Sequence, residues 1–424
     1  MKKSRNSWYR MDSAASLYAS LQSEKYSATY RFSAVMAEPV NPAALQRAID
    51  LTMPRFPGFR VRVRHGFFWH YLENNPAPGP FLKEDVSDPC QPFRFQEDNH
   101  WLIRFYYYRS RISIEIFHAL SDGAGAMIFF RTLLAVYLRE TGHEIPDGDG
   151  VLNVADRPSR EELEDAYSRY AGTHASRLAH APRAYANAGT AEPFYTFHVT
   201  MGFLPLDKLH ALARAHQVSV TEYLTAALIF VILERQQSEP HNRKRPVALA
   251  VPVNLRSHFP SHTLGNFITT VSPYIDPAMG DYTFEEILSQ VHNYMKLHIN
   301  RQEMRSAFTW NVRLTRSPVL RAIPLFLKTP IMMESYKIQG VRPYSGTYTN
   351  VGAFAVPESM RPHIQRMEVI LGQAIVPRCH CASISYGNTM EITLAGTQKE
   401  TDTEREFFRF LVRQGIPVQI ESNR

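Results

Sequence analysis

No run of about 20 apolar residues occurs in this 424-residue chain; the longest candidates are broken by Arg131, Glu222 or Glu234, so no membrane-spanning helix is expected. Cysteine is scarce, and Cys90, Cys379 and Cys381 cannot all pair within one chain. The Cys-His-Cys run at 379 to 381 invites a metal reading. Strand alternation, however, puts Cys379 and Cys381 on one face and His380 on the other, and no second ligand pair stands near. Buried reduced thiols and no metal are expected. The chain also lacks a Gly-rich phosphate loop, a Gly-x-Ser-x-Gly elbow and a repeated period, which argues against a nucleotide-binding loop, an elbow hydrolase and a solenoid. The charged start from Met1 to Arg10 leads into no apolar core, so no secretory signal is expected and the cytoplasm is the expected location.

What is present is a folded composition. Hydrophobic residues make up 44% of the chain, enough for the cores of two or three domains. The net charge of +7 reads as spread, with Arg60, Arg62 and Arg64 alternating on one strand and Arg243, Lys244 and Arg245 in a loop. Solvated surface and attraction of an anionic cosubstrate are both open readings; nothing supports nucleic-acid binding.

Alternation predicts a strand over 27–37, with Tyr30, Phe32 and Ala34 on one face. A helix capped by Asn41 and opened by Pro42 should follow, with Leu45, Ile49 and the 51–53 end as its stripe. Further strands are predicted near 58–65, 67–73, 101–108 and 111–117, then a largely buried helix over 126–139. Residues 143 to 193 change character. We expect an N-terminal lobe over 1–158, a helical connector over 159–193 with its helix reaching about Ala186, and a C-terminal lobe over 194–424. The second lobe should open with a strand over 195–203. Capping boxes at Ser219/Glu222, Thr283/Glu286 and Thr401/Glu404 predict helices from about 220, 284 and 402. Strands fit 246–253, 267–275, 365–375 and 390–395. Both lobes read as sheets covered by helices, an α/β class built of α+β two-layer sandwiches.

The chemistry is expected where the strand over 111–117 delivers His118, with Asp122 four residues on and Gly123 after it. A neutral imidazole held at a strand end suits proton removal near pH 7, the alternative being a packed core histidine. Asp122 sits where a cap is needed, and its carboxylate can also pair with a distant arginine. Gly123 and Gly125 fit either a plain turn or a close backbone approach. A second cluster is Val-Pro-Val-Asn-Leu-Arg at 251–256 with Leu-Gly-Asn-Phe at 264–267; a third is Tyr-Thr-Asn-Val-Gly at 348–352.

His-Ala-Leu-Ser-Asp-Gly at 118–123 resembles the His-x-x-x-Asp-Gly signature of the superfamily of chloramphenicol acetyltransferases, peptide-synthetase condensation domains, alcohol acyltransferases and polyketide-associated acyltransferases. The pieces at 251–256, 264–267 and 348–352 extend the resemblance into the second half. The resemblance implies two chloramphenicol-acetyltransferase-like lobes with an active-site tunnel between them, and a monomer, because the motif lies in the first third of the chain. It implies His118 as general base and Asp122 as a structural residue whose ion pair fixes the histidine loop. Arg256 is the expected partner, with a surface turn as the alternative. Asn266 either faces the tunnel or stabilises the turn after Gly265. Thr349 or Asn350 is a candidate oxyanion donor, or an ordinary strand-turn residue. Phe117 stands where condensation domains usually carry a further histidine, which leaves an alcohol acceptor the simpler reading.

The expected activity is transfer of an acyl group, acetyl in the simplest case, from coenzyme A to an alcohol through a ternary complex, with acyl-CoA as cosubstrate and no tightly bound cofactor. Two rivals stand: ester or amide formation from an acyl carrier protein's thioester, with an alcohol or amine acceptor, and a binding or scaffold protein that has lost activity.

Overall fold

Alternation of apolar residues builds the first sheet. The computed structural model describes residues 8–21, 26–176, 183–186, 189–192, 196–239, 245–373 and 379–424. The first half holds β1 (Trp8–Tyr9), α1 (Ser13–Leu21), β2 (Thr29–Met36), α2 (Pro42–Thr52), β3 (Val61–His65), β4 (His70–Asn74) and β5 (Leu82–Glu84). β6 (Ile103–Tyr108) and β7 (Arg111–Phe117) lead into α3 (Gly123–Glu140), and a short α4 (Ala166–Tyr170) follows. Tyr30, Phe32 and Ala34 of β2 share one core with Ile112, Ile114 and Ile116 of β7, Leu45 and Ile49 of α2, and Phe129 and Leu133 of α3. Asn41 caps α2 by accepting from Ala44 N, and Pro42 opens it, as the sequence predicts.

The opposite face of β2 and β7 is polar yet buried. Arg31 stands opposite Glu115 in register, their ion pair closes at 2.7 Å, and the hydroxyls of Ser33 and Ser113 meet at 2.9 Å. Cross-strand pairs of this kind lock register, because a one-residue slip would bury the charges in the apolar face.

The second half runs β8 (His198–Pro205), α5 (Leu206–Ala215), α6 (Val220–Gln237), β9 (Val247–Asn254), β10 (Ile268–Val271), β11 (Tyr274–Ile275) and α7 (Phe284–His298). Next come α8 (Arg301–Arg316), α9 (Pro318–Ala322), α10 (Leu325–Tyr336), β12 (Gly346–Ala353), β13 (Ile364–Leu371), β14 (Cys379–Tyr386), β15 (Thr389–Gly396), α11 (Asp402–Arg413) and β16 (Gln419–Ser422). An eight-stranded sheet is ordered β10-β9-β12-β14-β15-β8-β16, with β11 also on β9. A three-stranded sheet is ordered β1-β4-β3, and the five-stranded sheet β13-β2-β7-β6-β5. β13 therefore leaves the second half to pair antiparallel with β2. This strand exchange ties the two large sheets together and means that they do not divide along a simple cut in the sequence.

Several local expectations change on the fold. The spacing of Leu163, Ala166, Tyr167 and Tyr170 yields only a 3-10 turn at Glu161–Leu163 and the five-residue α4, not a long helix; residues 177–182 of that expected helix lie outside the described residues. Leu51 is exposed, so the apolar stripe of α2 ends at Ile49, and the buried Met53 belongs to the 3-10 turn that follows the helix. Pro273 splits the strand expected over 267–275 into β10 and β11, since a prolyl nitrogen cannot serve a ladder. Ser219 and Thr283 make full capping boxes, whereas the Thr401 side chain caps nothing and α11 holds through its buried Phe407, Phe408 and Leu411. Arg243 and Lys244, the start of the strand expected from 195 and the end of that expected over 365–375 lie outside the described residues. No single helix among the described residues is long and apolar enough to cross a membrane.

Candidate active site

β7 ends at Phe117, and His118 N donates to Ala28 O at 2.7 Å, so the backbone of the histidine is fixed by the neighbouring chain before its ring is considered. The residue as a whole is neither fully buried nor exposed. Tyr18 of α1 stacks on it with centroids 4.3 Å apart, and Tyr30 of β2 meets it edge-on at 5.1 Å.

The proton on the imidazole is placed by its neighbour. Asn266 Nδ2 donates to His118 O at 3.0 Å, an oxygen that can only accept, and reaches Asp12 Oδ2 at 3.4 Å. The amide is thereby oriented with Oδ1 toward His118 Nδ1, 3.0 Å away. His118 Nδ1 must then carry the hydrogen, which leaves the Nε2 lone pair free in the neutral ring. Burial lowers the pKa of His118 below its ordinary value, against the opposing pull of its backbone, of Asp122 and of Asn266, so the neutral form prevails at pH 7.

Asp122 is 1% exposed and has both carboxylate oxygens engaged. Oδ1 accepts from Gly125 N at 3.1 Å as the cap of α3, while Oδ2 accepts from Arg256 Nη1 at 2.8 Å and Phe267 N at 2.7 Å. The capping role and the arginine pair, open alternatives in the sequence, are thus both made. The rest of the Arg256 guanidinium donates to the carbonyls of Thr263 (2.9 Å) and Gly265 (2.8 Å). This is a planar fork with its donors matched one by one, which lysine could not reproduce.

Gly125 is required here. A Cβ would stand 2.2 Å from Leu264 O, and Ser121 Oγ already donates to that oxygen at 2.6 Å. Gly123 is not under such pressure, because its nearest neighbour would be Val351 Cγ1 at 3.4 Å. The 264–267 segment is therefore clamped onto the 121–125 turn, which joins the loop after β7 to the loop between β9 and β10.

The third motif meets the first at Val351, beside Gly123. Asn350 on β12 donates to Thr221 Oγ1 at 3.0 Å and accepts from Gly352 N at 3.0 Å, beside a small hollow of about 250 Å³. Neither of these two bonds involves His118. Thr349 lies next to it, paired in register with Ala382.

A cavity of about 2280 Å³ opens beside the site. Tyr18, Tyr167, Ile268 and Phe308 are among its walls, and Tyr18 also stacks on His118. Ordinary small-molecule sites occupy roughly 300–1,000 Å³, so this space has room for a far larger apolar group. Among the described residues no cluster of His, Cys, Asp and Glu has the arrangement of a metal site, and all three cysteines are free thiols.

Sequence reasoning missed Asp12 and both tyrosines. Asp12 Oδ1 accepts from Ala15 N at 2.7 Å, capping α1, and Oδ2 faces Asn266. Burial pushes its carboxyl up to about 7; the Asp165 charge adds to this, and the amides of Ala15 and Asn266 oppose it. The signal for it was an Asp-Ser start to an alanine-rich helical stretch, a capping pattern that carried no hint of its second partner 254 residues away.

No family model matches the chain, and no curated protein matches it by sequence. Solved structures do. The polyketide synthase associated protein 5 of Mycobacterium tuberculosis superposes with a TM-score of 0.61 at 14% identity, covering 95% of this chain and 96% of the other. The TRI3 trichothecene 15-O-acetyltransferase of Fusarium sporotrichioides gives 0.61 at 9%, covering 96% and 95%. A starter condensation domain of rhizomide synthetase RzmA, crystallised with C8-CoA and Leu-SNAC, gives 0.59 at 12%, covering 95% and 93%. The structural neighbours are thus condensation-domain and acyltransferase-like proteins, the superfamily that the motif at 118–123 resembles. The chain has their two-lobed α/β fold.

Proposed function

We propose that this protein is an acyltransferase in which His118 Nε2 takes the proton from an acceptor hydroxyl as that oxygen attacks the carbonyl of an acyl thioester. A new oxygen–carbon bond forms and the carbon–sulfur bond breaks. The leaving thiolate recovers the proton from the imidazolium, so a free thiol is released and the base is regenerated. The observation that carries this reading is the Nδ1 contact with Asn266, which leaves Nε2 as the basic nitrogen of the ring in a histidine that is not fully buried. Asn266, itself in reach of Asp12, orients the ring, and Asp122 with Arg256 holds the loop without moving protons. With Asn350 engaged elsewhere, the Thr349 hydroxyl is the remaining donor proposed from β12 for the oxyanion.

Acyl-coenzyme A is the preferred donor, in keeping with the C8-CoA bound to the structural neighbour. The cavity lined in part by Tyr18 favours a long apolar group on one substrate rather than acetyl alone. Thiol release from acyl-coenzyme A, followed across a panel of alcohols of increasing chain length, tests the proposal. His118→Ala should lower the rate by roughly 10² to 10⁴; turnover like wild type would remove the base and the reading with it. A carrier-protein donor is separated by comparing binding of a loaded carrier with that of free coenzyme A. The proposed division into lobes at 158 and 194 is tested by limited proteolysis, which should cut first in the intervening segment.

A further inference from the structure

Helix α10 is apolar on more than one side. Leu325, Lys328, Met332 and Tyr336, at three- and four-residue spacing, face the large cavity. Phe326 and Leu327, which do not line it, are 68% and 51% exposed, and Ile331 on its rim is 63% exposed. A helix apolar all round is ordinarily buried. The surroundings continue the pattern. Val319 of α9 is 71% exposed, and so is 68% of Phe67 at the tip of the β3–β4 hairpin, whose carbonyl accepts from Leu325 N at 2.8 Å. Apolar rims of this kind mark docking sites.

The charge of the same segment identifies what docks. Residues 301–342 carry eight Lys and Arg against two Glu, a surplus of six in a chain whose whole net charge is +7, so the excess that reads as spread along the sequence is concentrated on this arm. The two acids are already engaged, Glu303 by His298 at 2.6 Å and Glu334 by Lys337 and Arg342 at 3.3 and 3.8 Å. Arg301, Arg305, Arg313, Arg316, Arg321 and Lys328 have no carboxylate at salt-bridge distance among the described residues. Arg10, at the cavity wall, is close enough to Arg321 and Arg316 for their charges, after burial, to depress its own pKa. Cations left this close together call for an anionic surface.

We infer that the α8–α10 arm and the Phe67 hairpin tip dock on an anionic lipid bilayer, with Phe326, Leu327, Val319 and Phe67 entering the interface and the arginines that lack an acidic partner meeting the headgroups. Aromatic and aliphatic side chains among cations suit the headgroup boundary, and neither signal alone gives firm attachment. The cavity mouth then opens toward the acyl chains, so an apolar acceptor or donor can enter without crossing water. That use of the cavity rests on the acyl-transfer reading; the docking does not.

Co-sedimentation of the full chain with phosphatidylcholine vesicles, with and without about 30% phosphatidylglycerol, tests it. Wild type should pellet with the anionic vesicles, stay soluble with the neutral ones, and detach as salt rises several-fold above about 0.1 M. Phe326→Ser with Leu327→Ser should weaken association at least roughly ten-fold, and so should Arg316→Glu with Arg321→Glu, while turnover of a water-soluble short-chain acceptor by the serine pair is unchanged. No binding to anionic vesicles, or binding indifferent to both pairs, overturns the inference. So does a dimer in sedimentation equilibrium that the serine pair dissociates, or an acidic carrier protein that binds this face when the vesicles do not. Loss of vesicle binding with intact thiol release leaves the acyl-transfer reading standing; loss of thiol release in His118→Ala leaves the docking standing.

Discussion

The turn around His118 and the arm around the cavity are built on opposite principles. At the turn, polar groups are taken out of water and then matched: Asp122 receives three donors, Arg256 fills its fork, and Gly125 lets a carbonyl approach where no side chain fits. On the arm, apolar side chains are left in water and cations are left without acids. The first arrangement is stiff, because each partner lost leaves another buried and unpaired. The second tolerates change in the folded state and draws its meaning from something outside the chain. One region sets where a proton goes, and the other sets what can reach it.

The contrast is broken most severely at Arg256. Its removal leaves Asp122 charged, buried and short of a partner, and breaking a buried pair in this way costs about 3–5 kcal/mol. Arg256→Ala should lower the denaturant midpoint accordingly, with the slope unchanged if two-state behaviour holds. Melting like wild type would show that Gly125 N and Phe267 N suffice for the carboxylate, and the clamp between the two loops would lose its stated cause.

A smaller and more specific effect is expected at Asn266. Losing the buried acceptor for His118 Nδ1 should cost about 1–3 kcal/mol in kcat/KM, roughly ten- to a hundred-fold. The pH profile separates positioning from mere packing. The active form is the neutral imidazole, so kcat/KM falls as pH drops through the His118 pKa, and burial sets that pKa below the ordinary histidine value. Asn266 pulls it upward by accepting from Nδ1–H. In Asn266→Ala the acid limb should therefore move to still lower pH while the plateau falls. A lower plateau with an unmoved limb would reduce Asn266 to a packing residue.

These two regions also differ in how far the sequence reveals them. His118 is legible from the strand that delivers it and Asp122 from its place at a helix cap, whereas the pair of Asp122 with Arg256, 134 residues apart, is expected through the family resemblance and not from spacing. The sheets are legible for a similar reason, since period-two alternation survives in β2, β7 and β15. What stays hidden is whatever depends on a partner outside the local pattern. Asp12 looks like a helix cap and nothing more until Asn266 is brought to it by the fold. The spacing around Tyr167 looks helical, yet its apolar residues pack against Phe267 and Phe308 and the helix ends after one turn. β13 reads as one more strand of the second half, because nothing in Ile364–Leu371 names β2 as its neighbour. The arm from α8 to α10 has apolar residues on conflicting faces, and a pattern read for one buried stripe finds none.

The smallest expected effect is the one that separates the two principles most cleanly. Phe326 loses little contact when replaced, because most of its surface already faces water, and serine there ends no hydrogen bond of the helix backbone. Surface changes of this sort stay within about 0.5 kcal/mol. Phe326→Ser should therefore melt with the wild type, and relief of an exposed ring should, if anything, raise solubility. A loss of about 2 kcal/mol or more in the free monomer would mean that the ring supports the fold. The outer face of α10 would then belong with the matched interior around Asp122 rather than with surfaces awaiting a partner. Unchanged melting alongside weakened vesicle association would instead show that a large apolar side chain is held in water for a purpose that folding does not explain.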